Sequence, residues 1–155
     1  MKNLQKISFG GTAAIVTSMA LIIGLNTADV TKSSIVSALL IIAFADNLSD
    51  TLSVHMYQES ENLKGRVAFL TTLSNFFTRI LVTFTFVAIV IFLPHTVIPI
   101  VCFCWGLLLL CALSYFLARQ RRANVFTEIF KHAAVAVFVI FLAKAVGLVI
   151  QKNVF

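Results

Sequence analysis

Charged residues are scarce in this sequence, and acidic residues are the scarcest. The chain has 12 Lys and Arg and 6 Asp and Glu, so charged residues fill 12% of its 155 positions, whereas 60% are hydrophobic. The mean hydropathy is +1.01. A soluble globular domain carries about 25% charged residues. The composition therefore excludes a folded soluble domain and predicts a multi-pass membrane protein.

Residue patterns that carry catalysis or hold a prosthetic group are also missing. The sequence has no recognisable Ser/His/Asp set, no phosphate-binding loop and no paired His for haem. Cys102, Cys104 and Cys111 share one apolar run, where small thiols pack well, and their Cys-x-Cys spacing does not fit a zinc knuckle. We therefore predict no enzymatic activity and no cofactor.

Long apolar runs are what the sequence has instead. A membrane-spanning helix needs about 20 residues, which leaves room for about five spans with short connections. We place them at 8–26, 34–57, 67–92, 96–118 and 132–151. The predicted fold is an all-α bundle of five transmembrane helices in a single domain, residues 1–155. The first run also resembles a cleavable secretory signal, but its Gly-Gly-Thr-Ala-Ala start is typical of a closely packed helix and favours a retained span.

The distribution of Lys and Arg predicts the orientation, because cytoplasmic flanks carry the excess of these residues. With five spans, eight basic residues fall on the side of the N-terminus and two on the other. The eight are Lys2, Lys6, Lys64, Arg66, Arg119, Arg121, Arg122 and Lys131, and the two are Lys32 and Lys152. We therefore predict a cytoplasmic N-terminus and an external C-terminus, and the net charge of +6 needs no nucleic-acid partner.

Four charged residues lie inside the predicted spans: Asp46, Asp50, Arg79 and Lys144. Charges at membrane depth are costly unless paired or hydrated, and they often mark an ion path. One interpretation is that two positive and two negative side chains neutralise each other and lock helices together. The other is that Asp46 and Asp50 bind a hard cation or a proton, because clustered carboxylate oxygens suit such ions. For Lys144, snorkelling and pairing stay open as alternatives.

The two aspartates are one helical turn apart and lie in a polar stripe that includes Asn47, Ser49 and Ser53. We expect this stripe to face a polar interior as an ion or proton pathway, with Arg79 within reach of one carboxylate. A second polar cluster, at the predicted cytoplasmic end of the same span, consists of His55, Met56, Glu59 and Glu61. It is a candidate metal-collecting site, although a solvated helix end explains the same residues.

The second span resembles the vacuolar iron transporter family of ferrous and manganous ion carriers. The family pattern Ser-Met-x-x-Gly-Glu-Tyr-x-Ser-Val is similar to residues 45–54, in which Ser53 and Val54 are identical and Asp50 stands at the Glu position. The family's Asp-Gly-Ile-Val-Ser-Thr stretch is similar to the first span at Ile15, Val16 and Thr17.

The resemblance implies a proton-coupled homodimeric carrier of iron or manganese in which Asp46 and Asp50 are the metal ligands. The sequence departs from the family pattern at three places, and these departures support an alternative function. Ala13 replaces the first-span Asp, Asp46 stands at the position of the metal-facing Met, and only a short connection occupies the place of a cytoplasmic metal-binding domain. These departures favour a non-transporting membrane scaffold, or a degenerate carrier homologue, whose intramembrane charges form structural ion pairs.

Overall fold

The computed structural model describes residues 3–60 and 65–154, and every element in these two ranges is helical. The helices are α1 (Asn3–Thr27), α2 (Lys32–Ile41), α3 (Asn47–Ser60), α4 (Gly65–Phe92), α5 (Ile98–Arg121) and α6 (Val125–Val154). A single π-helical turn, Ile42–Asp46, joins α2 to α3 without a loop. Five stretches are long and apolar enough to cross a membrane: α1, the continuous α2 to α3 rod, α4, α5 and α6. The predicted all-α, five-span architecture is confirmed.

Helix α1 is the centre of the bundle and packs against α2, α4, α5 and α6. Glycine makes two of these contacts close. A side chain at Gly106 of α5 would occupy the space of Met19, and Gly147 of α6 lies against the backbone of Gly24. The core around α1 includes Met19 and Phe86, both of which have no exposed surface.

The second span packs differently from the other four. Helix α3 contacts α4 and the π turn and, within the described residues, no other helix. One side of α3 is therefore left facing away from the bundle.

The connections are short and specifically hydrogen-bonded. Thr31 caps α2 by accepting from the amide of Ser34 at 3.4 Å. The Lys32 ammonium donates to the carbonyl oxygens of Ile91 and Leu93, at 3.0 and 2.8 Å, and so satisfies acceptors at the C-terminus of α4.

Helix α6 begins at Val125, earlier than the predicted start of the fifth span at 132. The reason is local. The side-chain oxygen of Asn124 accepts from the amides of Phe126 and Thr127, as an N-cap residue does. The connection from α5 to α6 is consequently only three residues long, 122–124.

Two ends of the bundle follow from this topology. The basic end is the one at which α1 starts, α3 stops and α5 meets α6, and it carries Arg119, Arg121 and Arg122. The opposite end holds the α1–α2 and α4–α5 connections and the C-terminus of α6.

Candidate ion-pair site in the second span

The π turn determines which way the polar residues of the second span point. A π turn inserts one extra residue into a helix, so that the helix beyond it is rotated relative to the helix before it. Here the insertion ends at Asp46, and the next residue, Asn47, is completely buried. Helix α3 therefore presents Asn47 to the bundle and turns Asp46 away from its centre.

Arg79 of α4 binds both aspartates. Its Nη2 lies 2.7 Å from Oδ2 of Asp46, and its Nη1 donates to Oδ2 of Asp50. The guanidinium is 4% exposed, whereas the Asp46 and Asp50 side chains are 48% and 40% exposed. A buried cation thus reaches outward to two carboxylates at the edge of the bundle. With two negative charges against one positive charge, the cluster carries a net charge of −1 when both aspartates are ionised.

The predicted polar stripe exists, but it faces outward. Ser49 and Ser53 are exposed on the same side of α3 as the two aspartates, and the Ser53 hydroxyl donates to the carbonyl of Ser49 at 3.0 Å. Asn47 is the exception, because its amide nitrogen donates to the carbonyl of Phe76 at 2.9 Å inside the bundle. Within the single chain, the two carboxylates therefore lie at the edge of the bundle and not at its centre. The prediction that Arg79 lies within reach of a carboxylate is confirmed, and its contacts extend to both.

Lys144 does not join this cluster. It is exposed on α6 and forms no hydrogen bond or ion pair within the described part of the chain. Of the two alternatives for Lys144, pairing with an intramembrane carboxylate is not found. The interpretation in which two cations neutralise two anions is therefore not found. Instead, one cation, Arg79, pairs with the two carboxylates.

The candidate metal-collecting cluster is described only in part. Met56 is 61% exposed, and His55 is partly buried. The Glu59 side chain and the whole of Glu61 lie outside the described residues. Across the described ranges, no group of three or more His, Cys, Asp or Glu side chains is close enough to hold a metal ion.

A row of buried polar residues on α4 was not predicted as a unit. Thr72, Asn75, Arg79 and Thr83 are 6%, 2%, 4% and 3% exposed and recur at helical spacing. Ser18 of α1, at 2% exposed, faces the same region. The spacing of polar residues in the sequence is the signal that identifies such a buried face.

Comparisons with protein-family models, with curated proteins and with solved structures find no match to this chain. The resemblance to the vacuolar iron transporter family therefore stays a prediction drawn from residues 13–17 and 45–54.

Proposed function

We propose that this chain is a membrane carrier of a divalent metal cation, iron or manganese by the resemblance, and that Asp46 and Asp50 exchange the cation for protons. The observation that carries the proposal is the placement of two carboxylates, one turn apart and nearly half exposed, at membrane depth with a single buried Arg as counter-charge. Ionisable residues within a membrane span are by default treated as a functional site. Burying a charge in the membrane costs free energy, and such residues usually mark an ion or substrate pathway.

The chemistry of exchange follows from the charge balance. A carboxylate must lose its proton before it coordinates a cation, so metal binding and proton release are coupled. Arg79 contacts both carboxylates when no metal is bound, and it must release at least one of them for a divalent ion to bind both. In this mechanism Arg79 supplies positive charge to the two carboxylates when the transported cation is absent.

The proposed carrier is a homodimer, as the resemblance implies. Asp46, Ser49, Asp50 and Ser53 form a polar stripe on the side of α3 that no other described helix covers. Hydrocarbon is a poor environment for such a stripe. A second copy placed against it would enclose the carboxylates and supply a second set of oxygen ligands.

Metal flux into liposomes tests the proposal. Purified protein is reconstituted with a metal-sensitive dye inside, and iron(II) or manganese(II) is added outside with and without an imposed proton gradient. We expect flux that responds to the gradient and is lost in the double variant D46N/D50N. K144Q is the matched control, because it removes an unpaired intramembrane charge and should leave the flux unchanged. Flux equal to that of empty liposomes, at both neutral and mildly acidic pH, excludes the carrier.

A second candidate function is a membrane scaffold that transports nothing. It is favoured by the engagement of both carboxylates by Arg79, together with Ala13 at the position of the family's first-span Asp. A scaffold gives no change in metal tolerance or metal content when it is expressed in cells challenged with excess iron or manganese. A carrier changes both.

A further inference from the structure

The connection between α5 and α6 concentrates positive charge at the basic end of the bundle. From Arg119 to Lys131 the chain has four basic residues and one carboxylate, Glu128, which accepts from the Lys131 ammonium at 3.0 Å. We call the other three basic residues, Arg119, Arg121 and Arg122, the arginine cluster. All three are exposed, and none of their guanidinium groups forms an ion pair in the described part of the chain. The cluster therefore offers three unneutralised charges to a partner.

Arg119 is held in one orientation by Tyr115, one turn earlier on α5. Its Nε donates to the Tyr115 hydroxyl at 3.2 Å, and its guanidinium carbon lies 5.6 Å from the centroid of the Tyr115 ring. A guanidinium at this distance from an aromatic ring is attracted to it. These contacts use Nε and leave both Nη groups without a hydrogen-bond partner among the described residues. The two Nη groups form a planar fork of donors, which matches two oxygens of a phosphate.

An ordered turn carries Arg122. Its backbone is left-handed, with a φ of 55°, and its amide donates to the carbonyl of Arg119 at 3.3 Å. The amide of Ala123 donates to the carbonyl of Ala118 at 3.0 Å, so the turn is tied to the end of α5. The first amides of α6 are already bound by Asn124. The arginine side chains, and not the N-terminus of α6, are therefore available to an anion.

Exposed aromatic side chains flank the cluster on both helices. Tyr115 and Phe116 lie on α5 just before it, and Phe126 and Phe130 lie on the first turns of α6 just after it. Aromatic residues are enriched where the hydrocarbon of a membrane meets the headgroups. A soluble anion has no apolar part to place against these rings, whereas a phospholipid has a phosphate for the arginines and acyl chains for the rings. The surroundings therefore favour a lipid over a free phosphate.

We propose that the arginine cluster binds the headgroup of an anionic phospholipid, with Arg119 donating from its two Nη groups to the phosphate. Arg121 and Arg122 add positive charge that selects an anionic headgroup over a zwitterionic one. The acyl chains lie along the exposed aromatic side chains of α5 and α6. The site anchors the α5–α6 connection at the membrane surface, and it does not depend on whether the protein carries an ion.

Native mass spectrometry of the purified protein in detergent tests this proposal. The protein is titrated with dioleoylphosphatidylglycerol or with dioleoylphosphatidylcholine, which has the same acyl chains but a zwitterionic headgroup. The dissociation constant of the first bound lipid is compared between the parent and the double variant R119Q/R122Q. K152Q is the matched control, because it removes an exposed positive charge at the opposite end of α6.

We expect the parent to bind phosphatidylglycerol at least about tenfold more tightly than phosphatidylcholine. R119Q/R122Q should lose most of this preference, and K152Q should keep it. Equal affinities of the parent for the two lipids would overturn the proposal. A loss in K152Q as large as that in R119Q/R122Q would also overturn it, because net charge and not a site would then attract the lipid.

Two variants that keep the charge test the geometry of the site. R119K loses the planar fork, and Y115F loses the hydroxyl that accepts from Arg119 Nε. We expect each to weaken phosphatidylglycerol binding about threefold. If circular dichroism shows that R119Q/R122Q does not fold, these two variants decide, and parental affinity in both rejects the site. The lipid preference should persist in D46N/D50N, which separates this proposal from that of metal transport.

Discussion

At the residue scale, Arg79 is the group on which the second span depends. It is almost fully buried, and both of its described ion-pair partners are on the π turn or on α3. Because α3 has no helix contact other than α4 within the described residues, this double ion pair is a large part of what holds it in register. Removing one partner of a buried pair is expected to cost more than removing the whole group.

Replacing Arg79 by Gln tests this role. We expect R79Q to lower the free energy of unfolding by about 1–2 kcal/mol, because two carboxylates lose their counter-charge but are nearly half exposed and partly screened. The triple variant R79Q/D46N/D50N should recover much of that loss, and the non-additivity of the cycle measures the coupling. Denaturant unfolding of the protein in detergent gives these values. Additive losses would show that the ion pair does not stabilise the fold.

Lys144 provides the matched comparison for Arg79. It is the other basic residue inside a span, but it is exposed and has no partner among the described residues. We expect K144Q to change the free energy of unfolding by less than about 0.5 kcal/mol, as surface substitutions away from specific contacts usually do. A loss as large as that of R79Q would mean that the charge itself, and not its pairing, stabilises the bundle.

At the element scale, the π turn Ile42–Asp46 explains why the site differed from its sequence-based prediction. The sequence correctly places the polar residues of 46–53 within the second span. Their position at the edge of the bundle does not follow from the sequence, because the apolar pattern predicts an uninterrupted helix over 34–57 and the structure has a π turn within it. The inserted residue rotates α3 relative to α2. Asn47 of α3 is therefore buried together with Ile35 and Leu39 of α2. No residue in the sequence marks a π turn as a proline marks a kink.

Deleting Ala45 should convert the π turn into regular α-helix while leaving the residues on both sides in place. We expect the deletion variant to fold, with a free energy of unfolding within about 1 kcal/mol of that of the parent. The reason is that the inserted residue is removed without rotating α3. Deletion of Leu108 from the uninterrupted helix α5 is the control. It turns every following residue by about 100° and should prevent folding. If both deletions were equally destabilising, the π turn would not be an insertion.

Glycine contacts set the spacing of α1 and α6. A side chain at Gly147 would meet the backbone of Gly24 and the side chain of Thr27. We expect Gly147→Val to separate the two helices and to lower the free energy of unfolding by about 1–3 kcal/mol. Val146→Leu, at the neighbouring exposed position, should have little effect. Equal unfolding midpoints for the two variants would contradict the close packing.

At the scale of the whole molecule, composition and hydropathy were sufficient for the fold, since five apolar runs of spanning length leave few alternatives. They were not sufficient for the site. The pairing of Arg79 with both aspartates depends on the relative rotation of α3 and α4, which no local pattern encodes. The same is true of the contact between α1 and α4, where Asn75 meets Gly10 across 65 positions of sequence. Local sequence therefore identifies the helices, whereas the partners of intramembrane charges come from distant parts of the chain.

The exposed polar stripe on α3 leads to a prediction about assembly. Asp46, Ser49, Asp50 and Ser53 all lie on one side of a membrane-depth helix, and a two-fold axis along the membrane normal would bring each position close to its own copy. In a background with Cys102, Cys104 and Cys111 replaced by Ala, we expect S49C and S53C to form intermolecular disulfides in liposomes under mild oxidation. L142C, at an exposed position on α6, is the control and should stay monomeric on a non-reducing gel. Cross-linking that is equal at all three positions would reflect random collision. Cross-linking at L142C alone would place the subunit contact on α6, and the carboxylates of α3 would then have to be covered by water within a single chain.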